Sequence, residues 1–154
     1  MIDTPEIVEA PAQTYAAIRL NIPASTVRAE MGAGCEELTR VLAEQGIDKA
    51  GPWFTHHFKI PDTNFYFEIC FPVAEDVKPQ GRVAPGELTP ARVARTVYRG
   101  AYDNLGAGWG QFMAWVREQK LPIRGDFWEV YVTGPGDTED PAAYATQLNV
   151  PLKE

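Results

Sequence analysis

The chain has little of what the commonest chemical signatures need. Its 154 residues include only two cysteines, Cys35 and Cys70, far apart and in no CxxC pair. A disulfide framework is therefore excluded, and two readings stay open: small buried hydrophobes in a reducing cytoplasm, or one disulfide between them. The only histidines, His56 and His57, are adjacent. Neighbours on a strand point to opposite faces, and no Cys/His/Asp cluster completes a ligand set, so no metal site is expected. GxSxG, GxxxxGK[ST] and GxGxxG are all missing, which removes the usual hydrolase-elbow and nucleotide-cradle signatures. No cofactor is called for. There is no Lys/Arg-rich run; 14 basic residues face 21 acidic ones, for a net charge of −7. A nucleic-acid footprint is thus lacking, while neutral or cationic ligands remain compatible. No signal-peptide core opens the chain and no apolar run is long enough to cross a membrane, so the expected location is the cytoplasm.

What the chain does have is the composition of one globular domain, 45% hydrophobic and 23% charged residues, and the element order set out below makes it α+β. The densest stretch is Gly125 to Pro135, aromatic and β-branched between glycine turns, which predicts a strand. Alternation puts Trp128, Val130 and Val132 on one face, expected to be core, and Phe127, Glu129, Tyr131 and Thr133 on the other. An acid between two rings in mid-strand reads in two ways: a half-solvated face, or an aromatic-walled cavity with a carboxylate at its floor.

Strands are predicted at Tyr15–Leu20, 51–58, 65–73, 93–98 and 144–152, with residues 1–13 as a lead-in. Spacings of three and four predict two helices. The first carries Val27, Met31, Cys35, Leu38 and Leu42, with Ser25 or Thr26 as cap and Gly46 as stop. The second, after Asp103 or Asn104, carries Leu105, Trp109, Phe112, Met113 and Val116. Gly106, Gly108 and Gly110 weaken it unless they allow close packing on a sheet. Tyr98, Tyr102 and Trp109 read as pocket wall or core, with core the safer reading for Trp109.

A shift of 74 positions lays Cys35–Phe58 on Trp109–Val132 without gaps, pairing Gly51 with Gly125 and Trp53-Phe54 with Phe127-Trp128. Glu68-Ile-Cys-Phe-Pro-Val then matches Gln147-Leu-Asn-Val-Pro-Leu after a longer turn. The expectation is one domain over 1–154, made of duplicated β-α-β-β halves at about 13–73 and 91–152 with a connector at 74–90. Joined edge to edge, the halves would form one mostly antiparallel sheet with both helices on one face and a ligand groove on the other. Trp53, Thr55 and His57 should face as Phe127, Glu129 and Tyr131 do. Burial of Phe67, Ile69 and Phe71 under a helix would turn Tyr66, Glu68 and Cys70 to the groove.

With Arg99-Gly-Ala-Tyr-Asp-Asn-Leu before the second helix and Asp126-Phe-Trp-Glu-Val-Tyr on the strand, the chain from about Gln13 resembles GyrI-like small-molecule-binding domains. These are similar to the effector-binding domains of AraC-type and MerR-type regulators, multidrug sensors among them. The resemblance implies a pocket for hydrophobic, often cationic, molecules, with Glu129 as the acid that meets the charge. It implies sensing, sequestration or protection; the groove-facing positions given by alternation and the repeat add Phe127, Tyr131, Trp53, Thr55, His57, Tyr66 and Glu68 as further ligand-binding candidates. The resemblance also implies an alternative, hydrolysis of cyclopropanoid-type electrophiles with Glu129 and Tyr131 as catalytic residues. Ala101 stands where the family often has proline. The first dozen residues leave no room for a helix-turn-helix, so direct DNA binding is not expected. No segment marks a protein partner or a homo-oligomer interface.

Overall fold

A computed structural model describes residues 2–153. The chain divides into two compact units, one formed by Pro11–Pro90 and the other by the segment ending at Ala10 together with that from Ala91 onward. Both are α+β, with antiparallel strands and one helix.

The first unit runs β2 (Gln13–Pro23), α1 (Val27–Gln45), β3 (Phe54–His57), β4 (Asn64–Pro72) and β5 (Ala84–Leu88), after β1 (Glu6–Ala10) of the other unit. Its strand order is β3-β4-β2-β5. Helix α1 takes the predicted span. Neither candidate cap hydroxyl makes a capping bond, and Thr26 Oγ1 donates instead to the Pro23 carbonyl at 3.1 Å. Gly46, at φ +67°, ends the helix in the left-handed region that glycine tolerates, and Ile47 N–H closes back on the Leu42 carbonyl. Leu38, Val41 and Leu42 pack onto Ile18, Leu20, Phe67, Ile69 and Phe71. The stretch expected to be a connector contributes β5.

The second unit runs β1, β6 (Ala91–Arg99), a 3₁₀ turn at Tyr102–Asn104, α2 (Leu105–Glu118), β7 (Phe127–Thr133) and β8 (Ala145–Pro151), ordered β1-β6-β8-β7. Phe112 and Val116 of α2 pack with Ala94, Tyr98, Leu148 and Val150. The lead-in is a strand after all. Glu6 and Glu9 of β1 stand opposite Arg95 and Arg92, with a 2.9 Å ion pair at Glu9–Arg92.

The two ladders share one register. Thr55 pairs with Ile69, and Ile69 with Ile18; Glu129 pairs with Leu148, and Leu148 with Thr96. The 74-residue shift carries Thr55 to Glu129, and the match of Glu68-Ile-Cys to Gln147-Leu-Asn carries Ile69 to Leu148. The helices agree too. A Cβ on Gly34 would meet Ile69 Cδ1 at 2.5 Å, and one on Gly108, 74 positions on, would meet Tyr98 Cδ1 at 2.6 Å. Each glycine lets its helix approach its sheet more closely than a side chain allows. Gly106 and Gly110 have nothing within 4 Å and serve no such contact.

Candidate functional site

Residues directly opposite each other in an antiparallel ladder share a face. Leu148 is core beneath α2, so its partner Glu129 lies on the helix-bearing face of the second unit. Two contacts agree: Trp109 Nε1 of α2 donates to Glu129 Oε2 at 2.6 Å, and Phe127 packs on the α2 cluster. This corrects the expectation that Glu129, Phe127 and Tyr131 look out from the helix-free face. Trp128 takes that side, opposite Asn149. The expected core run on Trp128, Val130 and Val132 also breaks. Trp128 is buried, Val130 is half-buried, and Val132 is 47% exposed. A register shift between Tyr131 and Thr133 explains the last, because the extra residue of a bulge leaves the ladder.

Glu129 is 9% exposed. Its Oε1 accepts from Tyr131 Oη at 2.9 Å, two positions along the same face, and its Oε2 from Trp109. Both donors are neutral. Burial raises the carboxyl above its ordinary range, opposed by these two bonds, which favour the charged form. Around it, Trp109 and Phe127 meet edge to face with centroids 4.9 Å apart. Tyr131 meets Tyr102 edge to face at 6.3 Å, and Tyr102 leans on Tyr144 at 5.1 Å. Tyr102 is 38% exposed, so this succession of rings leads from a buried carboxylate to solvent.

The turn that carries Tyr102 is held firmly. Gly100 adopts φ +134° and its N–H donates to the Tyr144 carbonyl, while Tyr98 Oη donates to the Ala101 carbonyl at 2.7 Å. Tyr98 is therefore core. Trp109 packs against the α2 core, as its stripe predicts, and its indole N–H also reaches Glu129, while Tyr144 is the ring that the sequence leaves unmarked. A tryptophan one turn into a helix, facing a mid-strand acid, is the available signal for the Trp109–Glu129 contact.

In the first unit, Thr55 and His57 occupy the positions equivalent to Glu129 and Tyr131, on the face that α1 covers. Thr55 Oγ1 lies 3.0 Å from His57 Nε2, and the His57 ring stacks on Phe67 at 5.2 Å. Burial lowers the His57 pKa to about 4, so the ring is neutral at ordinary pH. Trp53 packs against the same core. Tyr66 and Glu68 lie on the opposite face of β4 from Phe67 and Ile69, so within this unit they do not join Trp53, Thr55 and His57 on one surface. Glu68 accepts from Tyr15 Oη at 2.8 Å and from Arg19 Nη2 at 3.2 Å, and Arg19 lies over the Phe58 ring, itself 4.8 Å from Tyr66. Its charge is matched within the unit, whereas Glu129 has no cationic partner in its unit among the described residues. Burial pushes the Tyr15 hydroxyl and the Cys70 thiol upward, which keeps both neutral.

Cys35 and Cys70 are free thiols. Among the described residues, no group of three or more His, Cys, Asp or Glu could hold a metal ion. Among them, too, no helix is long and apolar enough to cross a membrane.

Many solved structures share the fold, the following three among them. The C-terminal domain of EcmrR superposes with a TM-score of 0.84 at 19% identity, covering 98% of each chain. An EcmrR–DNA complex seen by cryo-EM gives 0.84 at 18% identity, covering 98% of this chain and 57% of that one. SAV2435 bound to tetraphenylphosphonium gives 0.67 at 11% identity, covering 98% and 94%. No curated protein matches the chain significantly in sequence. The sequence itself carries a domain match over residues 3–153. With the paired α+β units and the aromatic-lined Glu129 already described, that match places the chain in the family of GyrI-like small molecule binding domains.

Proposed function

We propose that the chain binds hydrophobic, aromatic cations at Glu129, for sensing, sequestration or protection. The observation that carries this reading is a buried carboxylate whose hydrogen bonds both come from neutral donors, set among Trp109, Phe127, Tyr131 and Tyr102. A carboxylate out of water with its charge unmatched attracts a cation far more strongly than an exposed one does. The rings add apolar area and cation–π attraction, which also favour a flat or bulky organic cation. The tetraphenylphosphonium bound by SAV2435 is a ligand of that chemical type.

Calorimetry with tetraphenylphosphonium and with neutral triphenylphosphine oxide tests the reading. The cation should bind more tightly, and Glu129→Gln should weaken it about ten- to a hundredfold while changing the neutral compound little. Equal losses for both compounds would show that Glu129 shapes the site without recognising charge.

The alternative, hydrolysis of a reactive electrophile by Glu129 and Tyr131, has no comparable support. Each Glu129 oxygen is held by a side-chain donor, an arrangement that fixes an acceptor in place. More than one turnover per protein on a cyclopropane-bearing aromatic electrophile would reverse that judgement.

A further inference from the structure

The rings that lead out from Glu129 end beside a second acid. Tyr102 Oη lies against Gly134, where an added Cβ would come within 2.9 Å of it. The N–H of the same Gly134 donates to Asp137 Oδ2 at 3.0 Å. A single residue therefore separates the exposed end of the aromatic path from the Asp137 carboxylate, and the two interact electrostatically. Asp137 is exposed and, like Glu129, takes this hydrogen bond from a neutral donor. The Gly134 bond holds the Asp137 carboxylate beside the residue that Tyr102 Oη lies against.

We propose that the preferred ligands carry two positive groups, one met by Glu129 at the floor and one by Asp137 at the rim, with an aromatic body between them along Tyr131, Tyr102 and Tyr144. This rests on the cation-binding reading of Glu129 and adds the ligand class. The two charges should contribute unequally. A contact with the buried carboxylate resists screening, whereas a contact with exposed Asp137 is worth about two- to fivefold in affinity and fades with salt.

The test uses the full chain and two probes: 4-phenylpyridinium joined through a short alkyl tether to trimethylammonium, and the same compound ending in an uncharged tert-butyl group. Tethers of three to six carbons are compared by calorimetry. With at least one tether the dication should bind about two- to fivefold more tightly in dilute buffer, and 0.5 M salt should remove most of that advantage. Asp137→Asn keeps an acceptor for Gly134 and removes the charge. It should abolish the preference and leave the monocation unchanged. No dication preference at any tether, or a preference that survives Asp137→Asn, would overturn the inference while the Glu129→Gln loss still upheld the site. If neither probe bound, or Glu129→Gln weakened neither, the cation-binding reading itself would fall, and this inference with it.

Discussion

Replacing Glu129 by Gln should make the ligand-free protein more stable at neutral pH, although the same change should weaken the proposed cation binding. The reasoning begins with burial. Moving a carboxylate out of water disfavours its charged form, and here that effect exceeds the help of the Trp109 and Tyr131 bonds, so the carboxyl is raised. Each unit of upward displacement corresponds to about 1.4 kcal/mol lost when the group ionises in the folded state. The native chain then binds more protons than the unfolded one between the unfolded and folded pKa values, so stability falls as pH rises through that window and stays lower above it. Glutamine has nearly the same shape. Its oxygen can accept from Trp109 Nε1 and its amide can donate to Tyr131 Oη, so that each of these polar atoms keeps one partner.

The variant should melt at a higher temperature than the parent at pH 8, each 1 kcal/mol of gain reading as about 2–4 °C in Tm for a chain of this size. The gain should shrink toward zero as pH approaches the ordinary carboxylate range. Thermal unfolding of both proteins from pH 4 to 8, followed by circular dichroism, reads the difference directly. A Glu129→Gln variant less stable than the parent at pH 8 would refute the argument. It would mean that the two charge-assisted bonds outweigh desolvation and that Glu129 holds the fold together.

Gly108→Ala should destabilise by about 1–3 kcal/mol, because the new methyl meets the Tyr98 ring, while Gly106→Ala should stabilise by about 1 kcal/mol through helix propensity. Chemical denaturation of the pair checks both signs, and equal effects would remove the close-approach argument. His57, with its pKa lowered to about 4, binds fewer protons folded than unfolded, so it should withdraw stability as pH falls from about 6.5 to 4. His57→Gln should flatten the acid side of the stability profile, and an unchanged profile would show that the ring is not held neutral.

Much of this architecture was legible because it rests on local rules. The stripe from Val27 to Leu42 and the glycine at 46 gave α1 its span, since a helix face and a left-handed stop are written in neighbouring residues. β1 was not legible. As an edge strand with Glu6 and Glu9 facing solvent, it looks like an acidic lead-in, and its justification lies in Arg92 and Arg95, more than eighty residues away. The faces of β7 failed for a similar reason. Alternation separates Trp128 from Glu129 but does not say which one goes beneath a helix. The choice is fixed by a tertiary bond from Trp109, and an acid beneath a helix contradicts the simplest hydrophobic reading.

The register shared by the two units sharpens what the departure at Glu129 means. A common ladder carries Thr55 and His57 in one unit and Glu129 and Tyr131 in the other, each pair joined by a side-chain contact two residues apart. Gly34 and Gly108 bring the helices close in the same way, and one position on stand Cys35 and Trp109. The scaffold therefore tolerates neutral side chains at all of these positions, and the first unit has them. Nothing about packing demands a carboxylate at 129, nor an indole positioned to hold it, and burying that carboxylate works against stability. A group that the fold does not need, kept where it is unfavourable, is best accounted for by what binds it. For that reason the proposed cation recognition is placed at Glu129 and Tyr131 rather than at Thr55 and His57.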